Sequence, residues 1–368
     1  MKILLDFETK PSYTPVIDLV NELSKKFDVF LIPNRKFPPN DLNDNVVCCK
    51  SIGDVRTINF DVVFSTYSTL LAVSYLKARL KSPLVNYMFI PTMINEVLSD
   101  KFLALPNSYK LREMLNLLVF PLPKSLFMPD RLIVPNLMVW KELVKLGFPK
   151  DKIVTLPWGL NVARYEKPDF LCKNSPIIND EGVIVYAGPL HPLRFSTKLL
   201  YSFSNVIKQN ADAHLFLLFR KDLWNQCLYI ELLSTIKNLG LMERVSIIIP
   251  SSYGVYLSYV AQAEVVVLPY FSSGIVEMPP FTLLECMALS KPIITSRGIA
   301  TFGIVEDGIN GFIMPENSSS LADLVNFLIS NKKKAHYVGQ KARMFVQERY
   351  NLTHFCSKLS QVFENCCR

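Results

Sequence analysis

Glycine is scarce in this sequence, with only 13 in 368 residues, and none sits in a G-x-G-x-x-G turn after a strand-like run. Nicotinamide or flavin binding of the dinucleotide-fingerprint kind is therefore disfavoured. G-x-x-x-x-G-K-[ST] and G-x-S-x-G are also missing, which speaks against P-loop hydrolysis and serine esterase chemistry. No D-x-D pair is present to anchor a substrate through a metal. Histidine is down to four residues, and the eight cysteines form no C-x-x-C. Cys48-Cys49 and Cys366-Cys367 are adjacent pairs and the others stand alone, so zinc ligation is not expected and buried free thiols in a reducing compartment are.

Long apolar runs are lacking too. The most apolar stretch, Met114 to Met128, is interrupted by Asn116, Pro121, Pro123 and Lys124, well short of the roughly 18 residues a membrane span requires. The chain opens with Lys2, Ile3-Leu4-Leu5 and then Asp6 and Glu8, which reads as a first buried strand rather than an export signal. A cytoplasmic protein is expected, and the triplets Asn317-Ser318-Ser319 and Asn351-Leu352-Thr353 are then coincidental matches to the glycosylation pattern. Forty basic residues against 32 acidic give a net charge of +8, spread too evenly for a nucleic-acid patch but compatible with anionic ligands or an acidic lipid surface. The local exception is Tyr67 to Met128, where basic and apolar residues mix; by itself this reads as a solvated helix face.

What is present is a regular alternation. Strand-like runs lie at Lys2–Phe7, Val29–Ile32, Val46–Cys49, Val62–Ser65, Leu84–Met88, Leu132–Val134 and Ile153–Leu156. Helical patterns such as Val16–Lys26, Tyr67–Leu80 and Leu137–Lys145 lie between them. After a Gly-, Asn-, Pro- and Ser-rich stretch the alternation resumes, with strands at Val183–Tyr186, Ala213–Phe219, Val245–Ile249, Val265–Pro269, Pro292–Thr295 and Gly311–Met314. Helices are expected at Arg194–Asn210, Leu228–Leu239, Tyr256–Ala261, Phe281–Leu289 and Ser319–Ser330, with a helical tail from Lys332. Short β-rich runs separated by helices specify parallel, doubly wound α/β sheets. The expected division is residues 1–160, a linker at 161–182, a second α/β domain at 183–332, and C-terminal helices at 333–368 packing back toward the first domain. Ligands of such sheets bind at the carboxyl ends of the strands, so the cleft between the domains is the expected site.

The densest chemistry falls between Val265 and Leu289. A buried strand ends at Pro269, a loop of small polar residues leads to Glu277, and Pro279-Pro280 open a helix. Proline suits that position because its missing N–H would be unpaired in any case. The amides of Phe281, Thr282 and Leu283, together with the helix dipole, form a seat for a phosphate. Glu277 ahead of the helix and Glu285 within it can each accept two hydroxyl hydrogen bonds from vicinal sugar oxygens.

Glu277 and Glu285, after V-V-V-L-P and before A-L-S-K-P-I-I-T, resemble the E-x7-E signature of retaining glycosyltransferases of family 4, which have the GT-B fold. Gly188-Pro189-Leu190 with Arg194 resembles that family's G-R-L and following lysine. Leu239-Gly240-Leu241 with Arg244-Val245 is similar to the stretch before its base loop, here Pro250-Ser251-Ser252. Glu306-Asp307-Gly308, Asn310-Gly311-Phe312 and Leu321-Ala322 continue the likeness. In the first half it includes Asp130-Arg131-Leu132-Ile133-Val134 and Leu156-Pro157-Trp158-Gly159-Leu160-Asn161. The resemblance implies two Rossmann-like domains facing each other across a cleft. It also implies metal-independent transfer of a hexose from a UDP- or GDP-linked sugar, with retention, to a glycan or lipid-linked acceptor. No separate cofactor is implied. Arg194, with Lys198 one helical turn on, would neutralise the donor diphosphate, Glu277 would hold the transferred sugar, and Glu285 the ribose.

Three departures from the pattern qualify this. The glycine-rich turn after the first strand is replaced by Glu8-Thr9-Lys10-Pro11-Ser12-Tyr13. Pro189 stands where the family has an arginine, removing one diphosphate cation. Asn86-Tyr87-Met88-Phe89-Ile90-Pro91-Thr92 resembles the Y-x-H-Y-P-T stretch of dolichol-linked mannosyltransferases, with Phe89 in place of the histidine. That likeness and the basic, apolar segment Tyr67–Met128 imply an acceptor at a membrane surface. The departures also leave open a sugar-nucleotide-binding protein with impaired catalysis.

Overall fold

The computed structural model describes residues 1–7, 14–32, 41–49, 55, 58–66, 73, 76, 82–87, 128–166, 181–190, 195, 197–220, 225–270, 280–297 and 303–367. The chain forms two compact units: Met1–Asn161 with Arg349–Arg368, and Val162–Val276 with Pro280–Glu348.

The first unit is built on a parallel sheet of order β3-β2-β1-β4-β5-β6-β7. Its strands are β1 (Lys2–Asp6), β2 (Asp28–Ile32), β3 (Val47–Cys48), β4 (Val62–Ser65), β5 (Leu84–Tyr87), β6 (Arg131–Val134) and β7 (Ile153–Thr155). Central strands covered on both faces need unbroken apolar runs rather than alternation. β4 is accordingly buried at every position, and Leu4 of β1 registers with Phe30 on one side and Val63 on the other. Helix α1 (Thr14–Ser24) follows β1, and α2 (Leu137–Lys145) follows β6. Asn136 caps α2 by accepting the Val139 N–H at 3.0 Å.

The second sheet has the order β10-β9-β8-β11-β12-β13. Its strands are β8 (Val183–Pro189), β9 (His214–Arg220), β10 (Val245–Ile248), β11 (Val265–Leu268), β12 (Ile293–Thr295) and β13 (Phe312–Ile313). Both sheets thus run outward from a central strand, and the order reverses between β1 and β4 and again between β8 and β11. In the second unit the helices are α3 (Lys198–Gln209), α4 (Gln226–Asn238), α5 (Tyr253–Gln262), α6 (Phe281–Ala288), α7 (Ser318–Ser330) and α8 (Lys332–Arg349). Leu199, Leu200, Phe203 and Val206 of α3 share one core with Leu321, Val325 and Leu328 of α7.

Two sequence expectations change. The helix expected from Arg194 begins only at Lys198. Phe195 is instead drawn into an aromatic cluster with Tyr186 and Phe219, its ring centroid 5.1 and 5.3 Å from theirs. The helical tail is also two helices with different attachments. α8 belongs to the second unit, whereas α9 (Leu352–Cys366) belongs to the first. There Phe355 stacks on Trp158 at 5.1 Å and Phe363 packs edge-on against Phe64 at 5.8 Å.

The two N-x-[ST] triplets have a structural role. Asn317 Oδ1 accepts the Ser320 N–H at 2.7 Å, and Asn351 Oδ1 accepts the Thr353 N–H at 2.8 Å. Each asparagine is therefore the N-cap of the helix that follows, α7 and α9 respectively.

α8 lies close against the turn that ends α6. That turn passes through Ser290 in the left-handed region, at φ 58°, with Lys291 N–H returning to the Cys286 carbonyl at 3.1 Å. A Cβ on Gly339 would overlap the Ser290 carbonyl oxygen. Gly339→Ala is expected to cost about 1–3 kcal/mol of overpacking, seen as a lower urea midpoint; an unchanged midpoint would mean that α8 does not bear on this turn.

Candidate functional site at the carboxyl edge of the second sheet

The order of the second sheet reverses between β8 and β11, where Val265 and Val266 register with Ile184 and Val185. The helices leaving these neighbouring strands diverge there, and open α/β sheets hold ligands at such a point. A niche occupies it, lined by Tyr186 to Pro189 of β8, Arg220 of β9, Leu268 to Tyr270 after β11, and Thr282 of α6.

Each wall has a local cause. β8 runs three residues past its expected end and stays paired with β9 as far as Pro189, which registers with Arg220. Gly188 is required on packing grounds, since a Cβ there would come within 2.8 Å of the Tyr186 hydroxyl. That hydroxyl is buried and donates to the Pro189 carbonyl at 2.9 Å. The floor of α6 follows from Pro280, which serves as N-cap with no side-chain hydrogen bond and has no N–H of its own. The first bond of the helical ladder runs from Leu284 N–H to the Pro280 carbonyl at 3.1 Å. The amides of Thr282 and Leu283 come before that bond, at the positive end of the helix dipole. Phe281 and Leu283 point into the core, while Thr282 is half-buried against the niche.

Glu285 lies one turn into α6 and is 5% exposed. Its Oε1 accepts the Tyr253 hydroxyl at 2.8 Å and its Oε2 the Tyr256 hydroxyl at 2.9 Å. These tyrosines stand three residues apart on α5, so one helix face delivers both donors. The Tyr253 oxygen also lies 2.8 Å from the Tyr165 hydroxyl, in a 3-10 turn at Val162–Tyr165. Arg343 of α8 donates to the carbonyls of Tyr165 and Ala288, holding that turn against the end of α6. Burial raises the Glu285 carboxyl to about 7, against the opposing pull of the two tyrosine hydroxyls and of Arg220. Burial and the nearby carboxylate push both tyrosine hydroxyls well above their ordinary range.

The candidates named from sequence divide as follows. Gly188, Thr282 and Glu285, with Phe281 and Leu283 on the same helix, gather at this edge. Pro250 and Ser251 follow β10 at the same end of the sheet, and Ser252 caps α5 by accepting the Val255 N–H at 3.2 Å. Arg194 and Glu277, like Phe89 and the turn at Glu8, lie outside the described residues. Lys198 is exposed at the start of α3 and lines a different cavity. The helix that carries Lys198 begins at that residue, later than expected from the sequence. Sequence reasoning missed Arg220, Tyr253, Tyr256 and Tyr165. Arg220 carried a readable signal, being the one cation that ends the apolar run His214–Phe219 at the carboxyl end of its strand.

Comparison with known proteins fits this geometry. Fold comparison aligns the chain with Anabaena HepE solved in complex with UDP, at a TM-score of 0.74 and 16% identity, covering 99% of this chain and 100% of that one. A sucrose-phosphate synthase from Thermosynechococcus elongatus aligns at 0.72 and 14% identity, covering 99% and 98%. The fold is GT-B, two parallel α/β Rossmann-like domains in tandem. Residues 173–345 match the family model of glycosyl transferases group 1. The alpha-D-kanosaminyltransferase of Streptomyces kanamyceticus is 27% identical over 127 residues, 34% of this chain. The aligned part spans about a third of that relative's length (31%). Residues 173–345 are thus similar to the group 1 glycosyltransferases.

The state of Glu285 has a measurable consequence. The folded protein keeps this proton up to about pH 7, whereas the unfolded chain releases it near the ordinary carboxylate value of 4.5. The native state therefore binds more protons between these values, and its stability falls as pH rises through them, by about 3 kcal/mol at 1.36 kcal/mol per unit. Glu285→Gln should remove this part of the slope in denaturant midpoints measured across that range. An unaltered slope would place the titration elsewhere.

Proposed function

We propose that the protein is a glycosyltransferase that binds a nucleotide-diphosphate sugar at the carboxyl edge of its second sheet and transfers the hexose with retention, without a metal. The observation that supports this most is the niche itself, where the amide end of α6, Arg220 and the closely packed backbone at Gly188 meet beside a buried carboxylate. A diphosphate takes up negative charge as the glycosidic bond breaks, and helix amides with a fixed cation stabilise that charge without a metal ion. In this reading Arg220 compensates for Pro189. The cation absent from β8 is supplied by the residue in register with it on β9.

Glu285 holds the ribose. Each of its oxygens has two acceptor sites and spends one on a tyrosine, so a ribose diol can take the remaining two. Pro250 and Ser251 border the base, Thr282 and the α6 amides the phosphates, Arg194 the diphosphate, and Glu277 the sugar hydroxyls. In the transfer, the anomeric carbon–oxygen bond breaks with its electron pair leaving on the diphosphate, and the acceptor oxygen bonds the same face of that carbon. The acceptor proton passes to the departing phosphate oxygen, so no protein base is needed. HepE was crystallised with UDP-glucose, which makes a UDP-sugar the first donor to try. The acceptor is a glycan or a lipid-linked glycan met at a membrane surface. Among the described residues no helix is long and apolar enough to cross a membrane.

Calorimetric titration with UDP-glucose and GDP-mannose, with and without EDTA, tests the reading. One nucleotide should bind regardless of chelator, and product NMR should show retention. Tight binding without transfer or hydrolysis would favour a binding protein that has lost catalysis. Arg220→Ala should weaken the responding donor by about tenfold or more, the value of one charge-assisted contact. Undiminished affinity would remove Arg220 from the diphosphate site.

A ribose held by four-fold acceptance needs the ionised carboxylate. Affinity for UDP-glucose should therefore rise with pH as Glu285 passes through its value of about 7, and level off roughly one unit above it. Heats measured in buffers of different ionisation enthalpy should show proton release near neutrality. pH-independent binding with no proton release would put the ribose elsewhere.

A further inference from the structure

The tyrosine pair on α5 does more than bury a carboxylate. Tyr253 and Tyr256 lie side by side, their ring centroids 5.8 Å apart. Each sends its hydroxyl to a different oxygen of Glu285, at 2.8 and 2.9 Å. A bond to each oxygen fixes the carboxylate plane, which a single bond leaves free to turn. Tyr253 has one proton and gives it to Glu285, so the 2.8 Å contact with Tyr165 is closed by the Tyr165 proton. One acceptor position on each Glu285 oxygen remains. Thr282, three residues earlier on α6 and so on the same helix face, lines the niche. Arg220, also of the niche, is near enough for its charge to favour the ionised carboxylate. Among the described residues, the other titratable groups acting on this cluster are the Cys286 thiol, pushed up by burial and by Glu285, and Lys291 beyond it, pulled down by burial.

We propose that Tyr253 and Tyr256 are positioning residues that make Glu285 a reader of a vicinal diol, so that the donor is a ribonucleotide and its 2′-deoxy counterpart is rejected. This rests on the donor reading above and names the class of nucleotide that the site takes. Two acceptor positions, one on each oxygen and in a plane the tyrosines fix, match two neighbouring hydroxyls and no single one. A 2′-deoxyribose fills one position and leaves the other buried and unmet, and an acceptor left unpaired in this way is what makes such a site selective. A carboxylate free to turn would follow whichever hydroxyl is present, so the selectivity belongs to the tyrosines and not to Glu285 alone. Tyr165 acts one bond further away, by orienting Tyr253.

Calorimetric titration of the intact chain with UDP and with dUDP supplies the test, because the two share base and diphosphate and differ in one hydroxyl. GDP and dGDP replace them if the guanine nucleotide is the one that responds. At about pH 8, one unit above the Glu285 value, UDP should bind about tenfold or more tightly than dUDP. Tyr253→Phe and Tyr256→Phe should each cut that ratio several-fold with dUDP affinity nearly unchanged, a split that general damage to the site does not produce. Tyr165→Phe should change the ratio less than either. Without nucleotide, the fall in urea midpoint assigned to Glu285 should extend to higher pH in Tyr256→Phe, because one bond to the ionised form is gone. Equal affinity for UDP and dUDP, a ratio untouched by both substitutions, or an unchanged nucleotide-free profile would overturn the proposal. So would a Tyr165→Phe effect as large as the others, which would make packing of the turn the cause. Binding of neither nucleotide would overturn the donor reading and take the selectivity with it, whereas equal binding of both overturns the selectivity alone.

Discussion

The buried carboxylate of Glu285 is the constraint around which the second unit is arranged. A carboxyl group at 5% exposure is costly to bury without partners, and the partners it takes decide where three elements go. Tyr253 and Tyr256 bind it to α5. Through Tyr253 it reaches Tyr165, so the 3-10 turn at Val162–Tyr165 is tied into the same set of hydroxyls. Arg343 then spans that turn and the last carbonyl of α6. Because α6 is held by its middle and its end, its first turn stays fixed at the carboxyl edge of β11.

Polar networks in low dielectric rigidify when every member is satisfied. This one supports a helix N-terminus that has no cap of its own. The absence of a cap at Pro280 is informative in that light, because every other long helix of this unit described with a cap residue, except α3, has a side-chain cap: Asn225 for α4, Ser252 for α5 and Asn317 for α7. α3 and α6 are the two left without one. Amides that no side chain satisfies are where an anion can bind.

Charge placement follows the same division. A net charge of +8 looks diffuse along the sequence, yet in the fold single cations stand at strand ends and loop starts. Arg220 closes β9 in register with Pro189, and Arg297 follows β12 beside Lys198 at the start of α3. These cations come from separate segments, which explains why no basic run announces either cavity.

The sequence by itself determined the class of fold. All thirteen strands among the described residues were legible, most to within one residue of their ends, because most strands of a parallel sheet covered by helices are short apolar runs. Phe281, Thr282 and Leu283 were legible as the start of a helix, since prolines open it. Asn317 and Asn351 were visible only as triplets, and their role as caps depends on where the helices begin. What tertiary structure alone decided is which side chains meet. Arg220 faces the niche because parallel register puts it beside Pro189, thirty-one positions away. Glu285 is enclosed by tyrosines because α5 and α6 pack on one another. Lys198 lines one cavity with Arg297 although the two come from distant segments of the chain. Local periodicity encodes which elements form; pairing across the sheet and between helices depends on contacts at long separation, which no local pattern records.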